Sequence, residues 1–434
     1  MKGIKWLAML LTLVITSFYF FPFEFKFLPG ANTKMILAGI GLGLLGLNLA
    51  RQGRSQADRH FLMLSAWAVV VSFFAFAAVT LNETRDYTYV TYIVSMWVWL
   101  GGAYTATQLM KAVHGRIDVE LVCHYLIAVC VGQCVIAYAM DQLPWLKSWV
   151  DGFLSGHGFM GKADDRIYGI GASLDVAGMR FAAMLCIITY LALRSDRENS
   201  LARTISYLVS FLIIAYIGNM MGRTTTVGAL VSVAYAIWVS LTTKGTSMNV
   251  KQYWKVLAIV LMLFLPLVVY KYNTDLQVHE RIRFAFEGFF SLAETGEWKV
   301  HSNEILKNMY VLPDETKTWM IGDGYLENPL ETDPYYTGKI WGGFYHGTDV
   351  GYLRFIFYFG IFGTLAFVFY MYLVAKVCME RFKEYKVLFL LVLLMNYLVW
   401  CKVSSDLFLI FAIFLCLPSE TPQSDEEAIV PDVR

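Results

Sequence analysis

The chain reads as an all-α polytopic integral membrane protein of about twelve transmembrane helices, and three features of the sequence point there. Of its 434 residues, 57% are apolar and only 16% are charged, whereas soluble domains carry about 25% charged residues. The apolar residues gather into blocks long enough to cross a hydrocarbon core of about 30 Å as helices, and these recur along nearly the whole sequence. Lys and Arg concentrate in alternate connections between the blocks. This composition excludes a soluble enzyme, and a net charge of +1 gives no reason to expect a nucleic-acid partner.

Taken in order, the apolar segments are 4–21, 35–50, 61–81, 89–110, 119–140, 174–193, 205–221, 225–241, 254–270, 350–374, 387–401 and 407–417. The last is short for a bilayer. Lys2 and Lys5 give the first segment the look of a signal peptide. No small-x-small cleavage site follows it, so a retained helix is expected. With the N-terminus inside, the inner connections carry Arg51, Arg54 and Arg59, then Lys111 and Arg116, then Arg194, Arg197 and Arg203, then Lys244, Lys251 and Lys255, then Lys376, Arg381, Lys383 and Lys386. Both termini are therefore expected in the cytoplasm. Residues 1–417 form one transmembrane domain, and 418–434, rich in Ser, Glu, Asp and Pro, read as a disordered cytoplasmic tail.

Two outer connections are large, 141–173 and 271–349, the latter between helices nine and ten; connections of this length are usually functional. The second has helical signals of its own: Ile282, Phe286, Phe289 and Phe290 on one face, then Ile305, Met309 and Leu312. None of the seven cysteines lies in either loop. No disulfide framework and no zinc spacing is present.

Chemistry is expected at the outer edge, where arginines oppose the charge bias: Arg166, Arg180, Arg223, Arg281, Arg283 and Arg354. Arginine at membrane depth usually faces a polar cavity or a partner, and several on one side suit an anionic ligand. The plainer alternative is that each snorkels to the headgroups. Arg223 stands in the tight connection Gly218-Asn219-Met220-Met221-Gly222-Arg223, before a helix opened by Thr224, Thr225 and Thr226. Helix-start amides and a guanidinium fork together match phosphate oxygens, although an ordinary Arg–Thr cap has the same sequence. Asp349 and Tyr352 are three apart at the next helix start, and Asp349 or His346 has the chemistry to accept a proton from a hydroxyl. A helix-start acid without a chemical role is the alternative. Trp319, Tyr325, Tyr335, Tyr336, Trp341, Phe344 and Tyr345 offer flat faces for sugar rings or anchors at the interface. Glu331-Thr332-Asp333 has the spacing of an acidic metal clamp but reads more simply as solvated acids, and no metal is expected.

The order of these parts resembles the bacterial O-antigen polymerase and O-antigen ligase family. The likeness rests on Met221-Gly222-Arg223-Thr224, on Ser302 to Leu312 followed by Ile321-Gly322-Asp323-Gly324-Tyr325, and on Asp349-Val350-Gly351-Tyr352-Leu353 followed by Gly360-Ile361-Phe362-Gly363, covering about Arg166 to Thr364. The resemblance implies a GT-C-like membrane protein of the bacterial inner membrane, with its large loop and active site facing the periplasm. It implies a metal-independent, cofactor-free glycosyltransferase that joins oligosaccharide units carried on undecaprenyl pyrophosphate. Arg223, Arg283, Arg166, Arg354 and Arg180 would hold pyrophosphate, Tyr352, Trp341 and Tyr345 would hold sugar, and Asp349 or His346 would serve as base. A flippase and a chain-length regulator would be its protein partners, with the lipid bilayer around it. Ligases of the family carry a histidine followed by a small amide or hydroxyl residue where this chain has Asp349-Val350, so polymerase is favoured over transfer to lipid A core. A flippase or transporter would instead place ionisable residues near the midplane, and a structural assembly protein is the remaining rival.

Overall fold

A computed structural model describes residues 2–52, 59–155, 166–194, 199–242, 248–329 and 343–418. Among them the chain is helical, with isolated bridges and no β-strand. The long helices are α1 (Lys2–Phe20), α2 (Thr33–Gln52), α3 (Arg59–Leu81), α4 (Tyr92–His114) and α5 (Val119–Gln142), followed after the short α6 (Pro144–Phe153) by α7 (Leu174–Leu193), α8 (Leu201–Met221), α9 (Thr224–Thr242) and α10 (Met248–Thr274). The long connection holds four short helices, α11 (Leu276–Ala285), α12 (Glu287–Thr295), α13 (His301–Asn308) and α14 (Thr316–Ile321). Then come α15 (Gly351–Arg381), α16 (Lys386–Val399) and α17 (Phe408–Leu415). Each apolar segment of the sequence falls on one of these helices. Among the described residues eight of them, α1, α3, α5, α7, α8, α9, α10 and α15, are long and apolar enough to cross a membrane. The acidic stretch from 419, the Glu331-Thr332-Asp333 run and Trp341 lie outside the described residues.

α7 is the hub. Apart from Asp175 and Arg180 it is almost wholly apolar, and 94% of its membrane-length window is covered by the rest of the protein, as befits a helix with no lipid-facing stripe. It touches α5, α8, α9, α10 and α16. Small residues let backbones meet there: a Cβ at Gly228 of α9 would stand 2.2 Å from the Cα of Ala182 on α7, the close approach by which membrane helices gain dispersion contacts. α10 is the opposite case, with only 11% of its window covered and Met262, Leu263 and Leu267 turned outward.

Two irregularities position the functional end. α15 breaks at Phe359 and Gly360, where Gly360 takes φ 69° and ψ −175°, a region essentially restricted to glycine. The turn Gly322-Asp323-Gly324 docks into this break, with Asp323 N donating to the Phe357 carbonyl (2.6 Å) and Gly324 N to the Tyr358 carbonyl (3.1 Å). The second irregularity is length. α16 has 14 residues and α17 has 8, which at about 1.5 Å per residue gives rises near ~21 and ~12 Å, short of a hydrocarbon core of about 30 Å. Residues 400–407 between them turn inside the bundle rather than beyond its end. Trp400 Nε1 donates to the Ser405 carbonyl (2.9 Å) and Leu407 N to Asn396 Oδ1 (2.8 Å), so buried side chains satisfy the bent backbone.

Candidate functional site

The site lies at the end of the bundle that carries the long connection, where α7, α9 and α15 all begin. Leu174 enters α7 at φ 51°, and a Cβ on Gly222 would stand 2.4 Å from its carbonyl oxygen. The start of α7 is thereby pressed against the α8–α9 hairpin. This brings Asp175, in the first turn of α7, to Thr224, the first residue of α9: Thr224 Oγ1 donates to Asp175 Oδ1 at 2.6 Å. Lys402, from the in-turned stretch after α16, completes the group, its Nζ 2.7 Å from Asp175 Oδ1 and 3.2 Å from Thr224 Oγ1. Three segments remote in sequence thus meet on one carboxylate oxygen.

Arg223, one residue before Thr224, points toward the long connection. Its guanidinium pairs with Glu287 of α12 (2.8 Å) and lies over the Phe284 ring with Cζ 3.9 Å from the centroid. Arg166 Cζ lies 5.5 Å from the same ring. Arg283 reaches Glu294 with one nitrogen at 2.8 and 2.9 Å from the two carboxylate oxygens, and lines with Arg223 a surface cleft of about 500 Å³ that also takes in Lys299 and His301. Arg223 and Arg166 therefore share the Phe284 ring, while Arg283 lies over Phe290 with Cζ 4.9 Å from its centroid. Arg281 is directed elsewhere, to Asp141 at 3.2 Å.

Asp349 sits just ahead of α15, with its carboxylate 3.5 Å from Arg354 NH1. The backbone brings them together because Arg354 begins the second turn of α15, and its other nitrogen donates to the Leu326 carbonyl (2.9 Å). Burial pushes the Asp349 carboxyl up to about 7 against the pull of Arg354; Asp175 adds to the rise and Lys402 opposes it. Those last two influences place Asp349 within electrostatic reach of the Asp175–Lys402 pair. His346 is exposed at φ 50°, and its ring stacks on Phe357 at 4.7 Å. Tyr345 turns to Asp323 (3.3 Å), and burial, then that carboxylate, pushes its hydroxyl up to about 12. Tyr352 packs on Trp400 and donates to the Tyr397 carbonyl (3.1 Å), which turns its hydroxyl toward α16.

Arg180 stands apart. It lies one and a half turns along α7 from Asp175, is 4% exposed, and donates to the Phe20 carbonyl. Asp175 and Glu287 carry no local pattern that singles them out. Lys402 carried the one available signal, a lysine in a connection that charge bias assigns to the outer side. No family model, curated protein or solved structure matches this chain.

Proposed function

We propose that the chain is a polytopic glycosyltransferase of the O-antigen polymerase type, joining oligosaccharide units carried on undecaprenyl pyrophosphate at the outer face of a bacterial inner membrane. The observation that carries the reading is the pairing of two features at one end of the bundle. One is a cleft lined by Arg223 and Arg283, with Arg166 facing the same Phe284 ring as Arg223; the other is a carboxylate whose burial lifts it to about 7. They are linked through Arg223, Thr224, Asp175 and Lys402. On this reading the twelve helical segments place the long connection in the periplasm and both termini in the cytoplasm.

The chemistry is a displacement at the anomeric carbon. The acceptor hydroxyl oxygen forms the new C–O bond while the bond to the pyrophosphate oxygen breaks, and the pyrophosphate leaves with the electron pair. Arg223 and Arg283 neutralise that leaving group, which needs charge stabilisation more than a proton. The hydroxyl proton goes to Asp349, a base with an acidity matched to neutral pH. Purified protein in liposomes with radiolabelled lipid-linked repeat units tests the class of activity. Lengthened glycans support the reading; units that cross the membrane unextended identify a flippase, and transfer only to lipid A core identifies a ligase.

A further inference from the structure

About one and a half turns below the Asp175 group, a second set of charges lies within the helical bundle: Arg180 on α7, Lys34 in the first turn of α2, and Asp406 before α17. Lys34 and Arg180 both face the Trp99 ring, and Asp406 lies within electrostatic reach of both cations, yet neither cation forms an ion pair with it among the described residues. Arg180, with 4% of its surface exposed, donates one hydrogen bond, to the Phe20 carbonyl; its Nε is buried without a partner. The Lys34 ammonium rests over the Trp99 ring at 4.1 Å and donates to no acceptor among the described residues. Asp406 Oδ1 accepts from Phe408 N (2.9 Å) and its other oxygen is not engaged. Lys34 and Asp406 are each half-buried.

Two cations and one carboxylate leave this interior one positive charge from neutrality. Buried charge of that kind is costly unless something compensates it. The aromatic faces of Phe20, Phe21 and Trp99 around Arg180, at 5.9, 5.4 and 6.0 Å, stabilise a cation only weakly. We infer that the space between Lys34, Arg180 and Asp406 is a binding site for a small oxyanion, a carboxylate or phosphate group, whose oxygens accept from the ammonium and guanidinium while a neighbouring hydroxyl donates to Asp406. The site is separate from the Arg223 cleft and does not depend on the polymerase reading. A sugar carboxylate and a phosphate headgroup share this chemistry.

The test is calorimetric titration of the purified full chain in detergent with sodium glucuronate, sodium phosphate and, as a neutral control, methyl glucoside. Titrations run in parallel with Arg223→Ala protein, which silences the outer cleft. Saturable binding of glucuronate alone identifies a sugar acid, binding of phosphate alone identifies a headgroup, and both support the site. Lys34→Met should weaken binding about tenfold, and Lys34→Arg should restore it. Asp406→Asn should tighten binding by a similar factor, because it removes an opposing charge; a misfolded variant would not gain affinity. No saturable binding of either oxyanion, loss of all binding in Arg223→Ala, or equal constants in wild type, Lys34→Met and Asp406→Asn would each overturn the assignment.

Discussion

Asp349 shows how a single side chain acquires a chemical property from its surroundings. A carboxylic acid at a helix start is ordinarily held ionised by the helix dipole, but burial here outweighs both the dipole and Arg354 and moves the group to about 7. A general base works in its ionised form, so the initial rate with lipid-linked substrate should rise with pH through about 7 and level off above it. Asp349→Asn should remove that limb and leave glycans at one repeat unit, while His346→Gln should keep it. A pH–rate profile in which His346→Gln abolishes the limb would hand the role to the histidine. Arg223 raises a different question, because Glu287 already pairs with one of its nitrogens. Arg223→Lys should lower kcat/KM by about 2 kcal/mol, a roughly thirtyfold loss, since an ammonium keeps the charge without the paired donors. Glu287→Gln should lower KM, because the arginine is then released to the pyrophosphate without displacing a carboxylate.

At the scale of elements, the break in α15 governs where Asp349 and Arg354 stand. The residues before Phe359 are held by the 322–324 turn and by Trp400, while those after it continue the helix. Gly360→Ala should cost about 1–3 kcal/mol from its backbone conformation, with more from a Cβ placed 2.4 Å from the Met320 carbonyl oxygen. A lower melting temperature in detergent, with faster proteolysis of the long connection, is the expected result; unchanged melting would show that the break is not held by this contact. The length of the apolar runs made the twelve segments legible, because burial in lipid or protein leaves the same apolar run. It could not reveal the break, since Tyr358-Phe359-Gly360-Ile361 reads as one continuous span. Nor could it reveal the inward turn of 400–407, whose polar residues mark a loop by composition and whose backbone is held by Trp400 at the Ser405 carbonyl and by Asn396 at Leu407 N. The amphipathic signals of the long connection fall on helices, but the first is broken at Phe286 between α11 and α12, and α13 ends at Asn308, before Met309 and Leu312. Of the second one, Met309 packs with Leu306 on Val350, Leu353 and Phe357, while Ile305 and Leu312 stay exposed.

For the whole molecule, the charge bias carries the orientation proposed above. A cysteine at Lys299 should react with an impermeant maleimide in intact cells, and one at Lys383 only after permeabilisation, both in a Cys401→Ser background that removes the one cysteine classed as exposed. The reverse pattern would turn the reaction centre to the cytoplasm. The assembled site draws on residues from 166 to 402, and sequence order pointed to its arginines, Asp349, His346, Tyr345 and Tyr352 but not to Asp175, Lys402 or Glu287. Lys402 and Asp175 are 227 positions apart, and no local pattern joins them. The enclosure of α7 bears also on how the protein is made. During synthesis α7 emerges well before α16, which forms part of its wall, so for that interval its flank and the nearby Arg180 have only lipid or an insertion factor for company. A nascent chain halted after residue 385 should therefore be held by chaperones or cleared by membrane proteases, while one halted after 418 persists. Pulse-chase labelling of the two truncations separates a hub that waits for its last neighbour from one that settles as it leaves the ribosome.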